Sequence, residues 1–184
     1  MLLWTVFYIS HSALASVKLK RFLEQRWPNL TKRYRLIYSI VSVVIFGVVL
    51  LHSVKITVLQ LFPTSPISTY LGYMIATFGT IIMVKSSRAI SMSSFLGISS
   101  SKEDELITSG IYSKVRHPLY SGLILIFLGY ALVAASLTAL IHFSCLLIYL
   151  AFGIKYEEQN LTSVYGKAYK KYQDEVPALI PWRK

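Results

Sequence analysis

The sequence has little of what marks several common classes of protein. Its single cysteine, Cys145, excludes an internal disulfide and lies in an apolar run, where a small buried thiol is expected. The four histidines, His11, His52, His117 and His142, have no metal-ligand spacing. Zinc, phosphate-loop, dinucleotide and nucleophile-elbow motifs are also missing from the sequence. A metal enzyme is therefore not expected, and no residue is assigned to a metal.

Acidic residues are scarce as well, with 8 Asp and Glu against 19 Lys and Arg, which gives a net charge of +11. A basic balance of this size can indicate nucleic acid binding. However, 54% of the residues are hydrophobic, and the basic residues lie between long apolar runs. Membrane lipids are therefore the predicted partner, and nucleic acid is not.

Five apolar segments approach or exceed the length that crosses a bilayer, at about residues 2–17, 36–62, 69–84, 119–134 and 137–154. We predict an all-α, polytopic membrane helical bundle with about five transmembrane helices, the last two forming a helical hairpin. The first segment resembles a signal peptide but lacks its positively charged start, so it is interpreted as a short spanning helix.

The lysines and arginines predict the orientation of the bundle. All except Lys55 lie in the segments that follow the first, third and fifth helices. The positive-inside rule places those segments in the cytoplasm, with the N-terminus outside and the C-terminus inside. An interfacial first helix would give four spans and a cytoplasmic N-terminus, and this alternative stays open.

The predicted organisation is a single integral membrane domain, residues 1–184. Three helices occupy 1–84, a cytoplasmic loop 85–118, the hairpin 119–154, and a cytoplasmic amphipathic tail 155–184. In the tail, apolar positions share one side of a helix and lysines the other, which suits an anionic membrane surface. The apolar set is Leu161, Val164, Tyr165, Ala168 and Tyr172, and the basic set is Lys167, Lys170 and Lys171. Pro181 and Trp182 are interpreted as an interfacial anchor.

A cluster of polar residues marks the start of the fourth apolar segment. Pro118 is suited to the first turn of a helix, whose N-terminus offers free N–H groups and a partial positive charge. Arg116 and His117 add donors, so the turn is a candidate site for a carboxylate or phosphate. The alternative is that the basic residues only anchor the helix end at the membrane surface.

Glu157 and Glu158 follow the fifth apolar segment, which the hairpin returns to the same end as Arg116. Adjacent acids at a helix C-terminus are disfavoured by the helix dipole, so Arg116 or a cationic ligand is expected to compensate. The alternative is a solvated pair that balances the basic tail.

Three further patterns concern the helices themselves. A stripe along the fifth segment either lines a cavity or packs in the bundle, and packing is favoured; it comprises His142, Cys145, Tyr149, Phe152 and Tyr156. Small residues at Gly72, Ala76 and Thr80 predict close helix packing. His11 lies in a short apolar segment, where ionisable residues tend to be functional.

Two blocks resemble the isoprenylcysteine carboxyl methyltransferase family and its bacterial relatives: LITSGIYSKVRHPLYSG, and EEQNLTSVYGKAYKKYQDEVPALIPW. The stretch ISHSALASVKLKRFLEQRWPNLTKRYRLIYSIVSVVIFG is similar to the NnrU-like and methanethiol S-methyltransferase branch. The resemblance implies a membrane methyltransferase that uses S-adenosylmethionine, in the inner membrane of a bacterium. The implied acceptor is a lipophilic or small thiol, carboxylate or amine.

The resemblance also implies site residues. The cofactor-binding set is Gly110, Tyr112, Val115, His117, Pro118, Tyr120, Gly122, Glu157 and Glu158. Arg116, His117 and Glu157 are expected to be catalytic, and His11 and Tyr149 to bind the acceptor. Many relatives have Gly-Pro-Tyr where this chain has Gly-Ile-Tyr at 110–112, and one further N-terminal helix, which leaves the acceptor open.

Two other functions remain open at the level of sequence. One is a non-enzymatic, NnrU-like membrane subunit that binds a partner protein or haem. The other is an NADPH-dependent membrane reductase, because some sterol reductases share this C-terminal architecture. The adjacent glutamates in the tail block favour methyl transfer over both.

Overall fold

The computed structural model describes residues 2–27, 34–89 and 106–181. The described residues fall into two compact units, one up to residue 57 and the other from residue 58 onward. The residues of the predicted turn and glutamate pair all belong to the second unit, whereas His11 belongs to the first.

The first unit contains helices α1 (Leu2–Ala15), α2 (Val17–Arg26) and α3 (Tyr34–Val54). Ser16 begins α2, since its hydroxyl accepts a hydrogen bond from the backbone N–H of Leu19. Helix α1 packs along α3, where the Tyr34 hydroxyl donates to the carbonyl of Leu14 at 2.7 Å.

The second unit contains α4 (Pro66–Ala89), a short 3₁₀ turn (Gly110–Ser113), α5 (Pro118–Ala134), α6 (Leu137–Tyr165) and α7 (Lys167–Glu175). Helix α5 ends at Ala135, whose φ of 46° is left-handed, and Ser136 caps the start of α6. The segment before α4 holds this reversal through two backbone hydrogen bonds of 2.9 Å. The N–H of Leu61 donates to the carbonyl of Ala135, and the N–H of Leu137 donates to the carbonyl of Leu59.

Helices α4 and α5 are in very close contact because glycines face each other along their length. A Cβ on Gly79 would lie 2.6 Å from the carbonyl oxygen of Gly122, and one on Gly122 would lie 2.7 Å from that of Gly79. The predicted small-residue ridge is confirmed at Gly72 and Ala76, which both face Gly129. It is wrong at the exposed Thr80, because the helical repeat brings Gly79 to that face instead.

The structure confirms an all-α fold, with no β-strand in the described ranges beyond one isolated bridge. In the same ranges, three helices are long and apolar enough to cross a membrane: Leu36–Val54, Pro66–Ala89 and Leu137–Tyr165. Leu2–Leu14 and Pro118–Ala134 are shorter apolar helices. The second predicted segment ends earlier than expected, at Val54 rather than near residue 62.

Two expectations for the C-terminal region are wrong. Helix α6 continues to Tyr165, so Glu157 and Glu158 lie inside a helix and the expected dipole penalty does not apply. No residue between 155 and 165 breaks the helix, and Gly166, with φ of 57°, is the first that does.

The predicted continuous amphipathic helix is broken at that same glycine. Val164, placed on its apolar side, is 64% exposed, whereas Tyr169 and Tyr172 are buried. Lys167, Lys170 and Lys171 are exposed as expected. Trp182, part of the proposed anchor, lies outside the described residues.

Candidate functional site

Three elements of the second unit meet at the start of α5. Arg116 and His117 lead directly into that helix, and Pro118 occupies its first turn. Helix α6 returns beside α5 after the reversal at Ala135, which brings its acidic pair level with Arg116 and His117. The tail, which we define as α7 and residues 176–181, then crosses the same place.

The two basic and two acidic side chains are in direct contact. Nε and Nη2 of Arg116 donate to Oε1 of Glu158 at 2.9 and 2.5 Å. Nε2 of His117 lies 3.0 Å from the same oxygen, and Nδ1 lies 3.6 Å from Oε2 of Glu157. The side-by-side placement expected from the hairpin is therefore present.

The two glutamates differ in how their oxygens are used. Both oxygens of Glu158 accept hydrogen bonds, Oε2 from the side-chain amide of Gln173 at 3.1 Å. Among the described residues, Oε2 of Glu157 is buried without a hydrogen bond, because the 3.6 Å contact to His117 is too long for one. A buried carboxylate oxygen in this state is suited to a cationic ligand.

The tail occupies donors that the sequence suggested were free. The backbone N–H groups of Arg116 and His117 donate to the carbonyls of Pro177 and Ala178, each at 2.9 Å. Nη1 of Arg116 donates to the carbonyls of Gln173, at 3.1 Å, and Val176. These groups are bound within the chain, and the anion site at the first turn of α5 stays a prediction.

Aromatic side chains surround the cluster. The Tyr120 ring stacks on His117 with ring centroids 5.5 Å apart, and the Tyr172 hydroxyl donates to the carbonyl of Tyr112 at 2.5 Å. Burial, together with the negative charge of Glu157, raises the pKa of the Tyr112 phenol to about 12. Tyr169 is 1% exposed, and its hydroxyl has no hydrogen-bond partner within the described parts of the chain.

The charge of His117 follows from its two acidic neighbours. Burial by itself lowers the pKa of the imidazole, but hydrogen bonds and attraction from Glu157 and Glu158 outweigh it and raise that pKa above its ordinary value. The two carboxylates therefore favour the protonated form of the ring, in which both nitrogens are donors.

This pKa shift predicts how stability depends on pH. A raised pKa in the folded state gives stability that is complete below the unfolded value of about 6.5 and is lost as pH rises through the folded value. We expect the melting temperature of the purified protein to fall as pH rises from 6 to 9, and His117→Gln to be less stable and less pH-dependent. Scanning calorimetry of both proteins measures the difference, and equal slopes would contradict the assignment.

A cleft of about 470 Å³ opens on the α6 side of the acidic pair. Its lining residues come from α6 and α7 and are Ala151, Ile154, Lys155, Glu158, Gln159, Thr162 and Gln173. Glu158 belongs to both the cleft and the charged cluster. A ligand in the cleft can therefore reach Glu158, whereas Glu157 is not among the residues that line it.

The other residues implied by the resemblance lie in several places. Val115 is buried beside the turn, while Gly110 is exposed with φ of 64° and has open space around it. Gly122 faces α4, which gives it a packing reason, and its assignment to the cofactor stays a prediction. In the first unit, Nδ1 of His11 lies 2.7 Å from the Ser42 hydroxyl. Tyr149 is half-buried on α6.

The predicted stripe on α6 does not form one continuous surface. His142 is buried, whereas Phe152 and Tyr156 are exposed. The sequence analysis also missed two residues next to the charged cluster, Tyr169 and Gln173. Tyr169 lies three residues before Tyr172, a spacing that places both on one face of a helix. That pattern becomes informative once a new helix is assumed to begin after Gly166.

Comparison with known proteins gives consistent matches. A family model described as phospholipid methyltransferase (PEMT) matches residues 67–168. Methanethiol S-methyltransferase of Crocosphaera subtropica is 26% identical over 96% of this chain and 71% of its own length. Protein-S-isoprenylcysteine O-methyltransferase of Schizosaccharomyces pombe is 36% identical over 44% of this chain and 34% of its own. No solved structure gives a significant match.

Methanethiol S-methyltransferase 1 of Bradyrhizobium diazoefficiens is 36% identical over 40% of this chain, but over only 25% of its own length. The matched part of the family model runs from the start of α4 into the first residues of α7. It therefore contains both the turn before α5 and the acidic pair of α6.

Proposed function

Since the chain belongs to the phospholipid methyltransferase family, we propose that it transfers a methyl group from S-adenosylmethionine to a small or lipophilic acceptor at the membrane. Its class as a methyltransferase, and the resemblance read from its sequence, are confirmed by the family and by the names of the relatives. The donor and the acceptor are the parts proposed.

One observation carries the choice of donor: Oε2 of Glu157 is buried, lies 3.6 Å from Nδ1 of His117 and makes no hydrogen bond among the described residues. S-adenosylmethionine carries two positive groups, a sulfonium and an ammonium, and either one can pair with this carboxylate oxygen. The residues present fit such a ligand, because Tyr112 and Tyr120 add aromatic surface against which a cation is favourable.

When bound, the donor supplies a methyl group already activated by its sulfonium charge. The residues of the chain then have to bind and orient rather than perform acid–base chemistry. Glu157 fixes the positive end, His117 between the two acids keeps both carboxylates in place, and the tail with its buried tyrosines excludes water. His117 and Glu157 are thus proposed as the residues in contact with the donor.

For the acceptor we propose a small thiol. The relatives matched along nearly the whole chain are named methanethiol S-methyltransferases. The adjacent carboxylates raise the pKa of His117 and favour its protonated form, so the ring is not assigned as a base, and a thiol acceptor would react as the thiolate. With a thiol the rate should therefore rise with pH towards the thiol pKa, whereas with a carboxylate acceptor it should stay flat.

The decisive test is calorimetric titration of the detergent-purified protein with S-adenosylmethionine and with S-adenosylhomocysteine. We expect binding of both in the micromolar range, and methylation of a small alkanethiol by the loaded protein. NADPH serves as the control ligand and should give no heat. The absence of binding at millimolar S-adenosylmethionine would overturn the proposed donor.

The chain is an integral membrane protein, and its exact topology is also a proposal. We propose five spans in a bacterial inner membrane, with the N-terminus outside and the tail cytoplasmic, because all lysines and arginines except Lys55 then share the cytoplasmic face. Helix α1 has 14 residues, or roughly 21 Å at 1.5 Å per residue, so it spans only where the bilayer is thin. Reporters fused to both ends distinguish five spans from four, since four would place both ends in the cytoplasm.

A further inference from the structure

We propose that the two adjacent glutamates have separate tasks. Glu157 faces the ligand, whereas Glu158 and Arg116 form a latch that fastens the tail over the start of α5. Only the first task rests on the proposed function, because the latch is a property of the fold alone. Arg116 is then a positioning residue, and not the direct ligand of a carboxylate that the sequence suggested.

The contacts of Arg116 are the first support for the latch. A guanidinium has five N–H donors, and here four hydrogen bonds go to groups of the chain itself. Two reach Glu158 on α6, and two reach the carbonyls of Gln173 and Val176 at the C-terminal end of α7. At most one N–H is left, which is too few for the paired recognition of a carboxylate.

The position of these carbonyls is favourable for a cation. They belong to the last turn of α7 and the residue after it, where the helix dipole is negative and the carbonyls lack partners within the helix. Arg116 therefore caps α7 and pairs with α6 at the same time. Its side chain is 9% exposed, so solvent screens these contacts only weakly.

Both carboxylate oxygens of Glu158 accept hydrogen bonds, whereas Oε2 of Glu157 accepts none from the described residues. Oε1 of Glu158 accepts from Arg116 and lies 3.0 Å from His117 Nε2, while Oε2 accepts from Gln173. The Glu158 side chain is 19% exposed and that of Glu157 is 42% exposed. The Glu157 side chain is thus partly exposed, while its Oε2 is buried and makes no hydrogen bond among the described residues.

Beyond the latch, the tail lies along the polypeptide that leads into α5. The N–H groups of Arg116 and His117 donate to the tail carbonyls at 177 and 178, and the Ser121 hydroxyl donates to the carbonyl of Leu179 at 2.6 Å. These two N–H groups are protected only while the tail is in place. Their exchange with solvent deuterium therefore reports directly on the latch.

The experiment is hydrogen–deuterium exchange by mass spectrometry on the full chain in detergent, without donor, over peptides that include residues 116 and 117. Arg116→Gln and Glu158→Gln should each speed exchange there by about tenfold or more, because each removes one partner of a largely buried ion pair. Removing both should be no worse than the more severe single change, since the two act as one pair. Peptides across α4 and α5 should keep their protection, which separates local opening from general unfolding.

Glu157→Gln tests the other half of the proposal. It should leave exchange at 116 and 117 within about twofold of the parent chain, while weakening the affinity for S-adenosylmethionine by about tenfold or more. Glu175→Gln is the matched control, because it removes an exposed glutamate of the same tail and should change neither quantity. If Arg116→Gln does not accumulate, Arg116→Lys, which keeps the charge but loses the branched contacts, should give intermediate exchange.

Unchanged exchange in Arg116→Gln or Glu158→Gln would overturn the latch, and so would loss of protection along α4 and α5 to the same extent. Faster exchange in Glu157→Gln, equal to that of Glu158→Gln, would overturn the division between the two acids. If no donor binds to the parent chain but the exchange results hold, the proposed function fails and the latch stands.

Discussion

Replacing Glu157 by glutamine is expected to lower kcat/KM by roughly 30- to 1000-fold, equivalent to about 2–4 kcal/mol. The substitution keeps the shape of the side chain and removes the negative charge next to the proposed sulfonium donor. Because the lost interaction is with the donor, the apparent KM for S-adenosylmethionine should carry a large part of the effect. Initial rates over a range of donor concentration, at saturating acceptor, measure both parameters.

Two observations would show that this effect is specific. The variant should lose less stability than Glu158→Gln, because Glu157 contacts His117 only through an ion pair of 3.6 Å and its Oε2 makes no hydrogen bond among the described residues. The exposed Glu175, which pairs with Lys171 at 3.8 Å, provides the control Glu175→Gln, and its kinetics should be unchanged. A change of less than about threefold in Glu157→Gln would remove Glu157 from the donor site.

Replacing Gly79 by leucine is expected to prevent the second unit from folding. A Cβ at this position meets the Gly122 carbonyl oxygen at 2.6 Å and the Leu125 Cβ at 2.9 Å, so the two helix backbones must separate. Gly79→Ala is the graded version, with an expected loss of about 1–3 kcal/mol or more. Yield of monodisperse protein after detergent extraction and the melting temperature report the two outcomes.

Gly153→Ala is the matched control for the helix contact. Gly153 lies within α6 of the same unit, and a Cβ there has nothing within 4 Å. The same chemical change should be neutral or should stabilise by up to about 1 kcal/mol, because alanine favours the helix. If Gly79→Ala and Gly153→Ala melt alike, the close approach of α4 and α5 does not hold the unit together.

The charged cluster could be predicted from the sequence because few features determine it. Apolar runs of the right length, separated at Ala135 and Ser136 by almost no connection, require an antiparallel hairpin, and the hairpin brings Arg116 to the acidic pair. The basic residues between the runs predicted which ends of the helices face the cytoplasm. Neither inference depended on where any helix ends to within a few residues.

The details of the tail could not be predicted in the same way. Arg116 binds backbone carbonyls of α7, and every residue carries such a carbonyl, so the sequence has no mark that distinguishes those at 173 and 176. The predicted end of α6 was wrong because the run of apolar residues ends near residue 154, while the helix continues through polar residues as far as Gly166. A lipid boundary and a helix boundary are different properties of the chain.

The left-handed residue at 135 has a consequence for how this protein can vary. Backbone hydrogen bonds to residues 59 and 61 hold this reversal, and the reversal sets the rotation of α6 about its own axis. About twenty residues further on, that rotation decides which way Glu157 and Glu158 point. A single inserted residue in between would rotate them by about 100°. Changes of chain length between Ser136 and Glu157 should therefore be far less tolerated than conservative replacements of the same side chains.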